Sequence, residues 1–280
     1  MKVVQADSLL AEALEAYQDE QFDTAAELWA LAEKLCAADE QWIGAASCQL
    51  NRGNALANLG RYMEAITEFD QAEAVFTHFE LEVAIAGCGL SRGDALANLE
   101  RFTEAILEFD KAEAIFARCG EGNYVARANL SRGDAMANLG RFPEAIVNYD
   151  WAISVSVRYQ QWGYLARSHL NRGIASRHLG QYREAIADCD QAESIFANLG
   201  QYLGISISQA NRGLVAHSLG HCEEAMRDFE AVESVIAELC QLSDAERTRL
   251  DLGIALQRPE RYQQAIAECR EACKVWARLL

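Results

Sequence analysis

The sequence predicts an all-α solenoid of seven antiparallel helix hairpins, about 14 helices in all, and three observations carry that prediction. The stretch NRGNALANLGRYMEAITEFDQAE from Asn51 returns as SRGDALANLERFTEAILEFDKAE from Ser91 and as SRGDAMANLGRFPEAIVNYDWAI from Ser131. It returns again as NRGIASRHLGQYREAIADCDQAE from Asn171 and NRGLVAHSLGHCEEAMRDFEAVE from Asn211, always 40 residues on. Weaker copies from Ala13 and Asp251 keep the register, so seven units of 40 account for all 280 residues, and such a period means a tandem array. The second observation is that each unit holds two runs of helical periodicity with a stop between them. The third is the lack of punctuation elsewhere: only two prolines occur, Pro143 and Pro259, and no linker or low-complexity tract.

The units are 1–40, 41–80, 81–120, 121–160, 161–200, 201–240 and 241–280, and each is expected to contact only its neighbours, giving one body without a domain boundary. In the second unit a first helix is expected from about Ile43 to Leu59, with Ala46, Leu50, Gly53, Leu56 and Ala57 at helical spacing. Gly60 is a helix stop able to take positive φ. A second helix follows from about Tyr62 to His78, with Ala65, Ile66, Phe69, Ala72 and Phe76 on one face. Pro143 falls in a first helical turn, where a missing N–H costs little. Pro259 stands at the end of a first helix and is expected to end it early.

Gly53, Gly93, Gly133, Gly173, Gly213 and Gly253 recur in mid-helix, where glycine costs about 1 kcal/mol against alanine. Close approach of the partner helix explains the recurrence, with Ala65, Ala105, Ala145, Ala185, Ala225 and Ala265 as matching small residues. Phe69, Phe109, Tyr149 and Phe229 are then expected to fill the space between hairpins. The five central copies carry Arg52, Arg92, Arg132, Arg172 and Arg212 before the glycine, and an acid eighteen residues later: Asp70, Asp110, Asp150, Asp190 and Glu230. The outer copies lose both. This joint gain and loss predicts a partly buried, bidentate bridge between the first and second helices of a hairpin. A row of ligand-binding arginines is the other reading.

The pattern Gly53, Leu56, Tyr62, Ala65, Phe69 and Ala72, repeated in later copies, resembles the tetratricopeptide repeat. Two departures from that family are the 40-residue unit and the missing closing proline. A longer class, with a loop such as Leu199, Gly200 and Gly204, is similar to arrays in Pins-type polarity scaffolds and beside CHAT domains. The resemblance implies a right-handed superhelix whose first helices line a concave groove. Its groove columns, carried onto this chain, give Asn54, Asp94 and Asp134, then Ile174, Leu214 and Ile254. A second column gives Asn58, Asn98 and Asn138, then His178, Ser218 and Arg258; between them lie Ala57, Ala97, Ala137, Arg177, His217 and Gln257. An outer column gives Ser47, Gly87, Arg127, Arg167, Ile207 and Arg247.

The implied groove has two halves. An Asn/Asp ladder in units two to four can donate to and accept from the backbone of an extended peptide. Arg177, His178, His217 and Arg258 beside Ile174, Leu214 and Ile254 suit an acidic segment with apolar anchors. Plainer readings stand beside these: Asn58 and its copies satisfy helix-end carbonyls, and the histidines are solvated surface. The family's carboxylate clamp needs a lysine where Leu50, Leu90, Leu130 and Leu170 stand, so binding of chaperone tails is not implied.

The net charge of −17 disfavours nucleic acid as a partner; unit one carries −8 and unit seven +1. No apolar run is long enough to span a membrane and the N-terminus lacks signal-peptide character, so a cytoplasmic protein is expected. Nine scattered cysteines without a CxxC read as reduced, mostly buried residues rather than metal ligands or disulfides. No catalytic motif or cofactor site is present. The nearest nucleophile–base set, His178, Cys189 and His217, is weak, and acids such as Glu64 and Glu104 recur in every unit, as structure does and a catalytic site does not. The seventh unit ends at ACKVWARLL, leaving Ile266, Val275, Trp276, Leu279 and Leu280 without a following neighbour. Either the chain continues in a longer protein or that end docks, for instance head to tail on another copy. The function expected is a non-enzymatic scaffold holding an extended segment of a partner; the alternatives are a sensor module of a larger regulator and a self-associating element.

Overall fold

The computed structural model describes residues 2–239, which form twelve α-helices and, among the described residues, no strand. The chain divides into two compact bodies, Met1–Leu139 and Gly140–Leu280. The first holds α1 (Lys2–Gln18), α2 (Phe22–Ala38), α3 (Trp42–Asn58), α4 (Tyr62–His78), α5 (Glu82–Asn98), α6 (Phe102–Cys119) and α7 (Gly122–Asn138). The second holds α8 (Phe142–Arg158), α9 (Trp162–His178), α10 (Tyr182–Asn198), α11 (Tyr202–Ser218) and α12 (Cys222–Leu239). Within each body every helix packs on the next. Five of the seven predicted hairpins, α1–α2, α3–α4, α5–α6, α9–α10 and α11–α12, each lie within one body, and α7 and α8 are the two helices of the fourth unit. The seventh lies outside the described residues, and with it Arg247, Gly253, Ile254, Gln257, Arg258, Pro259, Ala265, Ile266, Val275, Trp276, Leu279 and Leu280.

The turns show why the period holds. A backbone in the left-handed region follows almost every helix. Gly60 (φ 75°), Gly120 (78°), Gly140 (74°), Gly180 (74°), Gly200 (67°) and Gly220 (78°) supply it without strain. The closing hydrogen bonds are those of a Schellman end: Gly60 N–H donates to Ala57 O at 3.0 Å and Arg61 N–H to Leu56 O at 2.9 Å. Pro143 sits in the first turn of α8 as expected. The recurring acids at the starts of second helices are tied locally: Arg61 holds Glu64 through two bonds of 2.8 and 2.6 Å, and Arg101 holds Glu104 through two of 2.7 and 2.6 Å.

The mid-helix glycines have a specific cause, which corrects one expectation. The large aromatics press on the glycine of their own hairpin instead of occupying only the space between hairpins. A Cβ on Gly53 would stand 2.5 Å from Phe69 Cε1, one on Gly93 2.5 Å from Phe109 Cε1, and one on Gly213 2.6 Å from Phe229 Cε1. Where Cys189 replaces the aromatic the approach is still close: a Cβ on Gly173 would meet Ala185 O at 3.1 Å. Phe69, Phe109 and Phe229 are fully buried, as are Ala65, Ala105, Ala185 and Ala225.

The arginine column also pairs differently from the expectation. No bridge joins Arg52 to Asp70 or Arg92 to Asp110 within one hairpin. Arg92 reaches back to Asp70 of the preceding hairpin (2.9 Å) and forward, through Nε and Nη2, to Glu108 of its own (2.9 Å from Nε), and also touches Glu73. Arg172 bonds Asp150 at 2.5 Å and grips Asp188 bidentately at 2.8 and 2.6 Å. Arg212 bonds Asp190 at 2.6 Å and Glu193 at 2.5 Å, and holds Asp228 through Nε and Nη2. Arg132 bonds Asp110. Arg52, whose preceding unit has Ala30 in the acid column, takes Glu33 at 2.7 Å and Glu68 instead. Each arginine thus clamps its own second helix, the preceding hairpin, or both.

Burial raises the carboxyls of Asp188 and Glu108. Hydrogen bonds outweigh it, from His169 and Arg172 to Asp188 and from Lys111 and Arg92 to Glu108, so both lie below the ordinary carboxylate range. Of the cysteines described, Cys36, Cys48, Cys88 and Cys189 are buried, Cys222 is half-buried and Cys119 is exposed. Burial pushes the Cys48, Cys88 and Cys189 thiols up to about 12.

Candidate functional site

The second groove column is absorbed by the helices that carry it. The Asn58, Asn98 and Asn138 amides donate to the carbonyls of Asn54, Asp94 and Asp134 at 3.0, 2.9 and 2.9 Å, one turn back. Ser218 donates to Leu214 O in the same way at 2.9 Å. The amide of Asn58 also reaches Tyr17 Oη at 2.9 Å, and Tyr62 Oη donates to Asn98 Oδ1 at 3.4 Å. His178, in this column, is exposed yet lies flat on Phe142, with centroids 4.5 Å apart and planes 4° apart. Asn58, Asn98 and His178 thus each touch an aromatic of an earlier helix, Tyr17, Tyr62 and Phe142, which leaves the column less of its polarity to offer a partner.

The first and outer columns converge in the first body. Arg127 of α7 donates to Asp94 of α5 at 2.5 Å, and each side chain is about one third exposed. Beside that pair lies an open cleft of about 770 Å³, within the range of ligand sites. Leu50 and Asn54 of α3 form one side and Tyr124 and Arg127 of α7 the other. The floor is Ala84, Gly87, Leu90 and Ser91 of α5, with Phe116 behind. Glu80, Leu81, Glu82 and Val83 form the rim at the α4–α5 turn. The cleft is open above Gly87, where a Cβ would meet nothing within 4 Å. Tyr124 stacks on buried Phe116, with centroids 4.8 Å apart, and stays partly exposed, so an aromatic wall faces the opening. Of the rim acids, Glu82 is paired with Arg118 at 2.8 Å.

In the second body Arg167 is exposed, while Arg177 and His217 are half-buried. Asp134 and Asn138 lie on α7, half-buried and exposed. Arg258 lies outside the described residues. The set His178, Cys189 and His217 has no activated nucleophile, because Cys189 is buried and its thiol is pushed up to about 12 by that burial. Among the described residues no group of three His, Cys, Asp or Glu could hold a metal ion, and no helix is long and apolar enough to cross a membrane. Val83, Ala84, Phe116 and Tyr124 were not legible as site residues. The one signal was Gly87, the only glycine in a column otherwise filled by Ser47, Arg127, Arg167, Ile207 and Arg247.

Comparisons with known proteins agree with this fold. No curated protein matches the sequence. Solved structures do. The apo form of RapI superposes with a TM-score of 0.73 at 14% identity, covering 96% of this chain and 99% of that one. A Rap protein complexed with competence and sporulation factor gives 0.71 at 16% identity, covering 100% of this chain and 77% of that one. A signal-transduction ATPase with numerous domains from Pyrococcus horikoshii, which carries a tetratricopeptide repeat sensor, gives 0.73 at 14% identity, covering 97% of this chain and 42% of that one. At such identities the likeness establishes the fold. Two family models, both described as tetratricopeptide repeat, match residues 50–124 and 164–235, together just over half of the sequence. With the hairpins, the small–aromatic columns and the helix ends in agreement, the chain belongs to the tetratricopeptide-repeat family.

Proposed function

We propose that this chain is a non-enzymatic, cytoplasmic protein-interaction scaffold that holds an extended segment of a partner protein against its first helices. One observation carries the reading. Asn54, Gly87 and Arg127, picked out by the family's groove columns and drawn one each from α3, α5 and α7, line a single open cleft. A concave, mainly apolar site with a few convergent polar groups is the form a binding site takes. The Asn54 amide and the Ser91 hydroxyl are suited to the backbone of an extended chain, since each can both donate and accept. The recurring arginines are engaged by the protein's own carboxylates, which favours their structural reading. The Rap protein solved with competence and sporulation factor is a precedent for a partner held by a protein of this fold.

The test is a peptide-display selection on the purified chain, repeated with an Asn54→Arg/Ser91→Arg double variant. The reading expects a shared motif that the double variant no longer enriches. A motif that enriches equally on both proteins would place the binding elsewhere. A second reading, the sensor module of a larger regulator, draws on the repeat sensor of the Pyrococcus horikoshii ATPase, of which this chain matches less than half. Self-association through Trp276, Leu279 and Leu280 remains an alternative that a concentration series in sedimentation tests directly.

A further inference from the structure

The cleft above α5 has a chemistry narrower than that of a general peptide groove. Its floor is made by Gly87, over which the space is open, and by buried Leu90. Its far wall is the Tyr124 ring backed by Phe116. A flat surface would accept backbone alone; a hole with an aromatic wall accepts a bulky side chain, and burying such an anchor is where interaction energy concentrates. The charge around it is mixed, with an acidic excess at the rim. Arg127 is met by Asp94, and Arg118 by Glu82, leaving Glu80 at the rim as the acid beyond these pairs. The surrounding body is strongly acidic: residues 1–139 hold 24 of the 42 acids and only 10 of the 25 bases. A field of that sign draws basic segments in and repels acidic ones.

We infer that this cleft is an anchor subsite for a basic–apolar peptide segment, in which one bulky apolar side chain enters over Gly87 and a flanking lysine or arginine faces Glu80. The inference rests on the binding role proposed above for the first helices. It gives the outer column a function: Gly87 sets the size of the anchor, because any other residue of that column would occupy the hole.

The test uses the full chain and two fluorescein-labelled synthetic peptides in a Gly/Ser background, one carrying leucine and phenylalanine flanked by lysines, the other the same residues flanked by glutamates. Anisotropy titrations are run on the wild type, Gly87→Leu and Glu80→Lys. Gly87→Leu adds its side chain into open space, so it should keep its circular dichroism and thermal midpoint and serve as a folded, plugged protein. The expected result is binding of the lysine-flanked peptide with clear preference over the glutamate-flanked one. Gly87→Leu should weaken it about tenfold or more, and Glu80→Lys about threefold. Equal binding of the two peptides overturns the charge assignment. Lysine-peptide binding untouched by Gly87→Leu overturns the anchor. If that binding is nevertheless lost in Asn54→Arg/Ser91→Arg, the first-helix face still stands as the site. Loss in neither variant overturns both.

Discussion

Arg92 of α5 donates to Asp70 of α4 at 2.9 Å across the junction between two hairpins, while the same guanidinium grips Glu108 of its own hairpin. One residue therefore joins three successive helices. The two partners differ in exposure: the Asp70 side chain is 59% exposed and that of Glu108 12%. The same division recurs at Arg172, with Asp150 outside and Asp188 within.

That division predicts unequal costs. Asp188→Ala strips a buried guanidinium contact and should cost about 3 kcal/mol, in the range for breaking a buried pair. Asp150→Ala removes an exposed partner of the same arginine and should cost under about 1 kcal/mol. Urea unfolding followed by circular dichroism measures both. Equal costs would mean that the outer contact carries as much as the inner one.

Acid should weaken the fold through the inner carboxylates. The pKa values of Asp188 and Glu108 are depressed in the folded protein, so the unfolded chain binds more protons as pH drops through the carboxylate range. Their contribution is complete above the unfolded pKa, near 4, and is lost as pH falls through the depressed folded values. Urea midpoints should therefore hold, as far as these groups are concerned, from pH 7 to about 5 and decline below about 4. Asp188→Asn should be less stable at pH 7 and decline less steeply below pH 4. An unchanged acid slope would count against the assignment.

Two glycine substitutions of identical chemistry should act in opposite directions. Gly53→Ala drives a methyl group to 2.5 Å from the Phe69 ring and should destabilise by about 1–3 kcal/mol through overpacking. Gly87→Ala meets nothing and should stabilise α5 by up to about 1 kcal/mol, the helix-propensity difference. Thermal midpoints of the two variants decide it.

The thiols should label in order of burial. Cys119 is exposed, although burial and its contact with Glu82 hold its thiol above the ordinary value, whereas Cys48, Cys88 and Cys189 are buried with thiols at about 12. Peptide mapping after brief iodoacetamide treatment of the native protein should find Cys119 modified well before those three. Early labelling of Cys189 would contradict the packing of α10.

Much of this fold is written in the period. A 40-residue repeat with a left-handed glycine between two apolar runs leaves few architectures, and α4 runs over Tyr62–His78 as its pattern reads. What periodicity cannot give is which copy a residue touches. The acid eighteen residues after one arginine is the acid 22 residues before the next, and a strict 40-residue array makes the two pairings identical in sequence. Only packing decides, and it chooses the junction between hairpins. The aromatic that needs Gly53 was likewise visible, but not the helix on which its ring rests. The cleft was harder still, because it depends on open space above Gly87 and on Tyr124, whose role depends on its stack with Phe116. The ladder Asn58, Asn98 and Asn138 looked most like a site and is largely engaged in helix ends.

The most direct measurement of the central claim is amide hydrogen exchange of the chain with and without a peptide recovered by display selection. If the first helices hold the partner, binding should slow exchange in α3, α5 and α7, most strongly around Gly87, while α4 and α6 change little. Protection confined to α4 and α6, or to α8 and α10, would place the partner on the second helices and contradict the account.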